Sequence, residues 1–304
     1  MKTVKESLKY ACYDVNFINE NPAERVHIPR YETVTTDPAH IFTQEEIDKI
    51  LDRFKNNATF VASFLTSCYT GMRTGEVFAL TWKDIDLENG IINVQHSLYD
   101  KPKDNFGRWY LGTTKTISGT RQIYIWNTLT TALKNFKERQ EHLKKIFWKD
   151  YKYYHLETIT NDNGKVVDKR IVINKEDEEI LNLVFTNDDG SFSGTDVPKY
   201  PFKIIHSELG IEKCRFYDLR GTYATKVLNN GTKINDVASL LGHRNIETPE
   251  NYYVTSLEDN RKSAVELFDK NNKSNVIGNV IKFQLKEGNV VWIMQYSEVN
   301  LSIL

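Results

Sequence analysis

The chain has few cysteines, no long apolar run and almost no net charge, and each shortage excludes a class of protein. Its three cysteines, Cys12, Cys68 and Cys214, are far apart and odd in number. They form neither a disulfide framework nor a metal-ligand pattern, and read as buried thiols of a reducing cytoplasm. No apolar run approaches the roughly 20 residues that span a bilayer, so no membrane helix is expected. The opening residues, Met-Lys-Thr-Val-Lys, lead into an amphipathic stretch without the apolar segment and small-residue cleavage site of a signal peptide. Internal repeats and low-complexity tracts are missing as well. The charges nearly cancel, with 40 Lys and Arg against 41 Asp and Glu giving −1. A protein that wraps nucleic acid ordinarily shows a basic excess. Any basic surface here must come from charge distribution, not from the sum. Residues 134–152 are locally basic and Glu176-Asp177-Glu178-Glu179 locally acidic; both serve equally well as solvated surface.

What is present is enough for one large or two smaller globular domains: 304 residues, 40% hydrophobic and 12% aromatic. Val4, Leu8, Ala11, Cys12 and Val15 share a helical face within residues 1–22, and Asn21-Pro22-Ala23 ends the pattern. A polar, proline-bearing stretch continues to about Ala39. Thr43 and Glu46 then make a capping box ahead of Ile47, Ile50, Leu51 and Phe54. Residues 58–69 predict an apolar helix ended by Gly71, and Thr74 to Leu80 a short one. Strands are expected at 91–98, 109–116 and 121–126, the last two joined through Ser118-Gly119. A long amphipathic helix follows from Asn127 to about Asp150, then a hairpin around Asn163-Gly164. Helices are expected from Asp218 to Asn230-Gly231, from Ile234 to Gly242, from Thr248-Pro249, and from Leu257 to Asp269. Residues 279–296 read as a final hairpin turning at Glu287-Gly288-Asn289.

Four segments place phosphate-seeking or nucleophilic groups at element ends. Arg73 follows a glycine break and Arg220 opens a helix behind Asp218. Planar guanidinium forks match the equatorial oxygens of a phosphodiester transition state, and Glu76 is spaced to hold the Arg73 side chain. Lys115, beside the Ser118-Gly119 turn, suits proton delivery to a departing oxygen. His243 ends a helix, where it can donate to a phosphate oxygen. Tyr252 and Tyr253 follow; a phenol with a pKa of about 10 needs cationic neighbours to act as a nucleophile. Singly, each of these is as well explained by a salt bridge, a helix dipole or ordinary surface.

Together they form an ordered set. TGMRTGEVFALTWKDID, TTKTISGTRQIYI, RFYDLRGTYAT and LLGHRNIETPENYY resemble the motifs of the tyrosine recombinases, the phage-integrase family, over roughly residues 40–270. His243 follows Arg220 by 23 residues and Tyr252 follows His243 by nine. The resemblance implies an α+β, mainly α catalytic domain with a small antiparallel sheet at 40–270. It implies the end of a helical core-binding domain at 1–30, a linker at 31–39, and a tail at 271–304 that docks on a neighbouring subunit or completes its own sheet. It implies that Arg73, Lys115, Tyr217, Arg220 and His243 surround a scissile phosphate which Tyr252 attacks, giving a 3′-phosphotyrosyl link. Tyr253 stays open as the alternative nucleophile. The site would need no metal and no cofactor. The partners would be double-stranded DNA, three further copies of the chain in a tetramer, and an excision factor or host DNA-bending protein. Tyr217 stands where the family usually has histidine; it can donate a hydrogen bond but is a poor proton shuttle. Two other functions remain open: a type IB topoisomerase, and a DNA-binding regulator that no longer cuts.

Overall fold

The structure is a computed structural model that describes residues 2–26, 40–104, 107–113, 120–174, 179–230, 232–242, 265–266, 283–286 and 289–292. The chain divides into two compact units, Met1–Pro38 and Ala39–Leu304. The first carries α1 (Lys2–Tyr13). This helix stops well before Pro22. The N–H groups of Asp14 and Val15 both turn back to the Tyr10 carbonyl, and Asn16 takes a left-handed φ of 49°. The Tyr13 hydroxyl then donates to Glu24 at 2.8 Å, tying down the following turns.

The second unit opens with α2 (Gln44–Arg53) on the expected capping box. The Glu46 N–H donates to the Thr43 hydroxyl at 3.2 Å, and the Thr43 N–H donates to the Glu46 carboxylate at 2.8 Å. Thr43→Ala is expected to cost about 1 kcal/mol, read as a lower urea midpoint at unchanged m-value. An unchanged midpoint would mean that packing alone holds α2.

Helix α3 (Ala58–Thr70) is buried at every position from Thr59 to Thr70, as befits a core helix. Its hydroxyls stay satisfied by bonding back along the helix: Ser63 to the Phe60 carbonyl, Thr66 to Ala62 and Thr70 to Thr66. Gly71 ends it with a φ of 61°. Helix α4 (Thr74–Phe78) follows at once. The rings of α3, Phe60 and Phe64, pack against Phe42, Phe54 and Phe202 and each other, mostly edge to face.

Helices with small antiparallel sheets are found as expected, but the strand partners differ. The expected strand at 91–98 is two strands, β2 (Ile91–Val94) and β3 (His96–Asp104), which part at Gln95 into different sheets. Strand β1 (Ile85–Asp86), β2 and β5 (Arg121–Tyr124) form one sheet, with Ile91 opposite Tyr124 and Val94 opposite Arg121. Strands β3, β4 (Gly107–Thr113), β7 (Val166–Ile173) and β6 (Tyr154–Thr160) form a second sheet, in that order. The expected hairpin between 109–116 and 121–126 is therefore not formed, since β4 pairs with β3 and β7 while β5 pairs with β2. Close packing contributes to the split. A Cβ on Gly75 of α4 would lie 2.6 Å from the Leu98 carbonyl, so β3 runs hard against α4.

Helix α5 (Asn127–Phe147) ends slightly earlier than expected, and a 3₁₀ turn, Trp148–Asp150, continues it. The turn between β6 and β7 is the expected one, with Gly164 at a φ of 74°. Helix α6 (Lys199–Glu208) was not anticipated; Pro198 and Pro201 mask it, although proline is tolerated in a first turn. Helices α7 (Asp218–Asn229) and α8 (Ile234–Leu241) fall where expected, the latter closed by Gly242 at a φ of 69°. Strands β8 (Phe283–Lys286) and β9 (Asn289–Trp292) pair with Lys286 opposite Asn289. The helix expected at Thr248-Pro249 lies outside the described residues, as does all but Val265–Glu266 of the one after it.

Candidate active site

A helix leaves its last carbonyls without partners of its own, and the end of α8 is satisfied by arginines from three other elements. Arg121 of β5 donates from Nε to the Leu240 carbonyl at 2.9 Å. Arg220 of α7 donates from Nη2 to Leu241 at 2.7 Å. Arg73, the N-cap of α4, donates from Nη2 to Gly242 at 3.3 Å. Cations are favoured at this end of a helix. Arg220 also donates from Nη1 to the Gly71 carbonyl at 2.7 Å. It thereby joins the end of α3 to the end of α8.

Glu76 holds the cluster from beneath. One carboxylate oxygen accepts from Arg73 Nη1 at 2.7 Å. The other accepts from the Arg73 N–H at 3.0 Å and from Arg121 Nη2 at 2.9 Å. That backbone N–H is thus already engaged and not open to an anion. The Glu76 side chain is 3% exposed and that of Arg121 5%, whereas Arg73 is 36% exposed. Burial alone would raise the Glu76 pKa, but Arg121, by hydrogen bond and charge, and Arg73 together bring it below the usual glutamate range. Arg220 is pushed down to about 10, first by burial and then by the positive charges of Arg73 and Arg121. Among the described residues, three guanidiniums gather around the Glu76 carboxylate, an arrangement that suits an anionic ligand such as a phosphodiester.

Tyr217 is the N-cap of α7, three residues before Arg220, and is 54% exposed. Asp218 behind it is buried and accepts from the Arg215 N–H at 2.8 Å and from Arg215 Nη2 at 2.9 Å. This fixes the loop that presents Tyr217. Of the residues singled out from the sequence, Arg73, Glu76, Tyr217 and Arg220 come together. Lys115, His243, Tyr252 and Tyr253 lie outside the described residues. Arg121 was overlooked. It lies inside the TTKTISGTRQIYI segment, in the strand expected at 121–126, where polar Gln122 and Tyr124 alternate with Ile123 and Ile125. Arg121 shares their face of the strand, and Ile123 and Ile125 are buried. A cation on a buried face was the available signal.

Residues 40–259 match the profile of the phage integrase family. The chain belongs to this family. Among its relatives is a XerC-like tyrosine recombinase of Caldanaerobacter subterraneus subsp. tengcongensis, 28% identical over 86% of this chain and 63% of the relative. The transposase of transposon Tn916 from Enterococcus faecalis is 24% identical over 88% of this chain and 60% of its own length. The chain thus spans about six-tenths of these curated relatives. The solved integrase of transposon Tn1549, residues 82–397 in complex with a circular intermediate DNA, superposes with a TM-score of 0.57 at 20% identity. That match covers 87% of this chain and 76% of the other. The phage-integrase fold therefore underlies the arginine cluster. Among the described residues no helix is long and apolar enough to cross a membrane.

Proposed function

We propose that this chain is a site-specific recombinase that integrates or excises a mobile element by cutting and rejoining DNA. The observation that carries the reading is the guanidinium cluster of Arg73, Arg121 and Arg220 around Glu76, a positive site whose outer member, Arg73, is open to solvent. Membership of the phage integrase family supports it, as do a relative that is a transposase and a structural neighbour that holds DNA.

In this reading Arg73 and Arg220 balance the charge that gathers on the phosphate as it is attacked. The Tyr252 phenol gives its proton to solvent, favoured by the cationic cluster, its oxygen bonds to phosphorus, and the bond to the 5′ oxygen breaks. Lys115 supplies the proton that the departing oxygen takes. His243 and Tyr217 donate hydrogen bonds to the phosphate oxygens. The 3′-phosphotyrosyl link keeps the energy of the broken bond, so a free 5′-hydroxyl restores the backbone with no nucleotide spent. Guanidiniums and an ammonium supply the positive charge that a metal ion would bring, so the chemistry is metal-independent. Residues 40–270 form the catalytic domain, 1–30 the end of a core-binding domain joined through 31–39, and 271–304 a tail exchanged between subunits. The working assembly is a tetramer on double-stranded DNA in the cytoplasm, aided by an excision factor or a DNA-bending protein.

The test is covalent trapping on a nicked suicide duplex carrying the element's end, with Tyr252→Phe and Tyr253→Phe run alongside. A denaturant-resistant adduct, lost only with Tyr252→Phe, is the expected result. Loss only with Tyr253→Phe moves the nucleophile by one residue. No adduct on DNA that is demonstrably bound would leave a non-cutting regulator as the better reading.

A further inference from the structure

We propose that Arg121 is a positioning residue that locks Arg73 and the end of α8 into one rigid unit; this rests on the recombinase reading above. Arg121 is enclosed, with a side chain only 5% exposed, so its role is to hold other groups. Its fork spans two acceptors on two different elements. Nη2 reaches the Glu76 carboxylate at 2.9 Å and Nε reaches the Leu240 carbonyl at 2.9 Å. The opposite oxygen of Glu76 holds the guanidinium of Arg73 at 2.7 Å. A shift of Arg121 therefore passes through one carboxylate to the exposed arginine.

The same side chain sets where the chain leaves α8. Leu240 is three residues before His243, and the carbonyls of Leu241 and Gly242 are held by Arg220 and Arg73. Arg121 also opens β5, six residues after Lys115 in the sequence. Strand β5, the start of α4 and the end of α8 thus meet at one guanidinium. Its geometry is what matters, because lysine's single ammonium lacks the planar two-pronged reach.

The experiment compares the wild-type chain with Arg121→Lys and Arg121→Gln, well below their melting temperatures. Single-turnover cleavage on saturating DNA is expected to slow by about 30–100-fold, with the DNA dissociation constant changed by less than about threefold. The double variant Arg73→Ala/Arg121→Gln should be slowed by clearly less than the product of the two single losses, because part of the effect of Arg121 is carried by Arg73. Without DNA, amide exchange at Leu240 to Gly242 should speed up in Arg121→Gln while that of α3 stays unchanged. Unaltered cleavage, or rate losses that multiply in the double variant, would overturn the proposal. Unchanged exchange at the end of α8 would overturn it too, and that arm stands even if the wild-type chain forms no adduct and the recombinase reading fails.

Discussion

Glu76→Gln is expected to lower the free energy of unfolding by about 3–5 kcal/mol, the range for removing one partner of a buried ion pair. Glutamine fills the same volume, so the loss is electrostatic. Glu76 is the carboxylate that Arg73 and Arg121 share; Arg220 is buried, and the Arg121 side chain is only 5% exposed. Without Glu76, Arg121 and Arg73 lose the carboxylate they share, beside an Arg220 whose own pKa is already depressed to about 10. Domains of this size keep only about 5–15 kcal/mol in hand, so the variant should unfold at a much lower urea concentration. Cleavage should fall further than stability does, because Arg73 loses the group that aims it.

The pH dependence of the same pair has a definite sign. In the folded chain Glu76 sits below the usual glutamate range, because the arginines outweigh its burial. A carboxyl depressed by folding binds fewer protons in the folded than in the unfolded state. Its contribution is fully present above the unfolded pKa, about 4.3, and disappears as pH falls through the folded value. Urea midpoints measured from pH 7 down to pH 3 should therefore drop for the wild type below about pH 4.3. Glu76→Gln should lack that part of the drop. Acid limbs of equal steepness in the two chains would show that Glu76 does not carry this coupling.

Gly71→Ala is expected to cost about 3 kcal/mol, combining a left-handed backbone with overpacking. Gly71 holds a φ of 61°, and an added Cβ would lie 2.6 Å from Tyr223 Cδ1 and 2.8 Å from Leu241 Cδ2. Neither neighbour can give easily. Tyr223 is fully buried, and Leu241 sits in the helix end that the arginines hold. The Gly71 carbonyl also accepts from Arg220, so relief of the clash would move an arginine of the site. Gly164 is the control, having a φ of 74° and nothing within 4 Å of an added Cβ. Gly164→Ala should cost only the backbone term, about 1 kcal/mol. Equal losses for both variants, measured by chemical denaturation, would mean that the contact at Gly71 relaxes freely.

Local patterns settled much of this molecule. The capping box at Thr43, the apolar run of α3, the stops at Gly71 and Gly242, and the hairpin at Gly164 are each specified within a few residues. Their causes are backbone hydrogen bonding and φ preference, which act at short range. The order and spacing of the arginine, histidine and tyrosine motifs likewise announced the family before any fold was seen. Partner choice was different. Strands are legible at 91–98, 109–116 and 121–126, but not that β4 joins β3 and β7 while β5 joins β2, because a pleated strand offers the same edge to any partner. Nor is it legible that Arg121 shares Glu76 with Arg73, since Arg121 reaches them only when β5 packs against α4. The sequence by itself determined which elements form and which family chemistry they carry. Only tertiary packing decided how the charges pair, because enclosing an arginine is tolerable only where another element brings a carboxylate and a helix end to meet it.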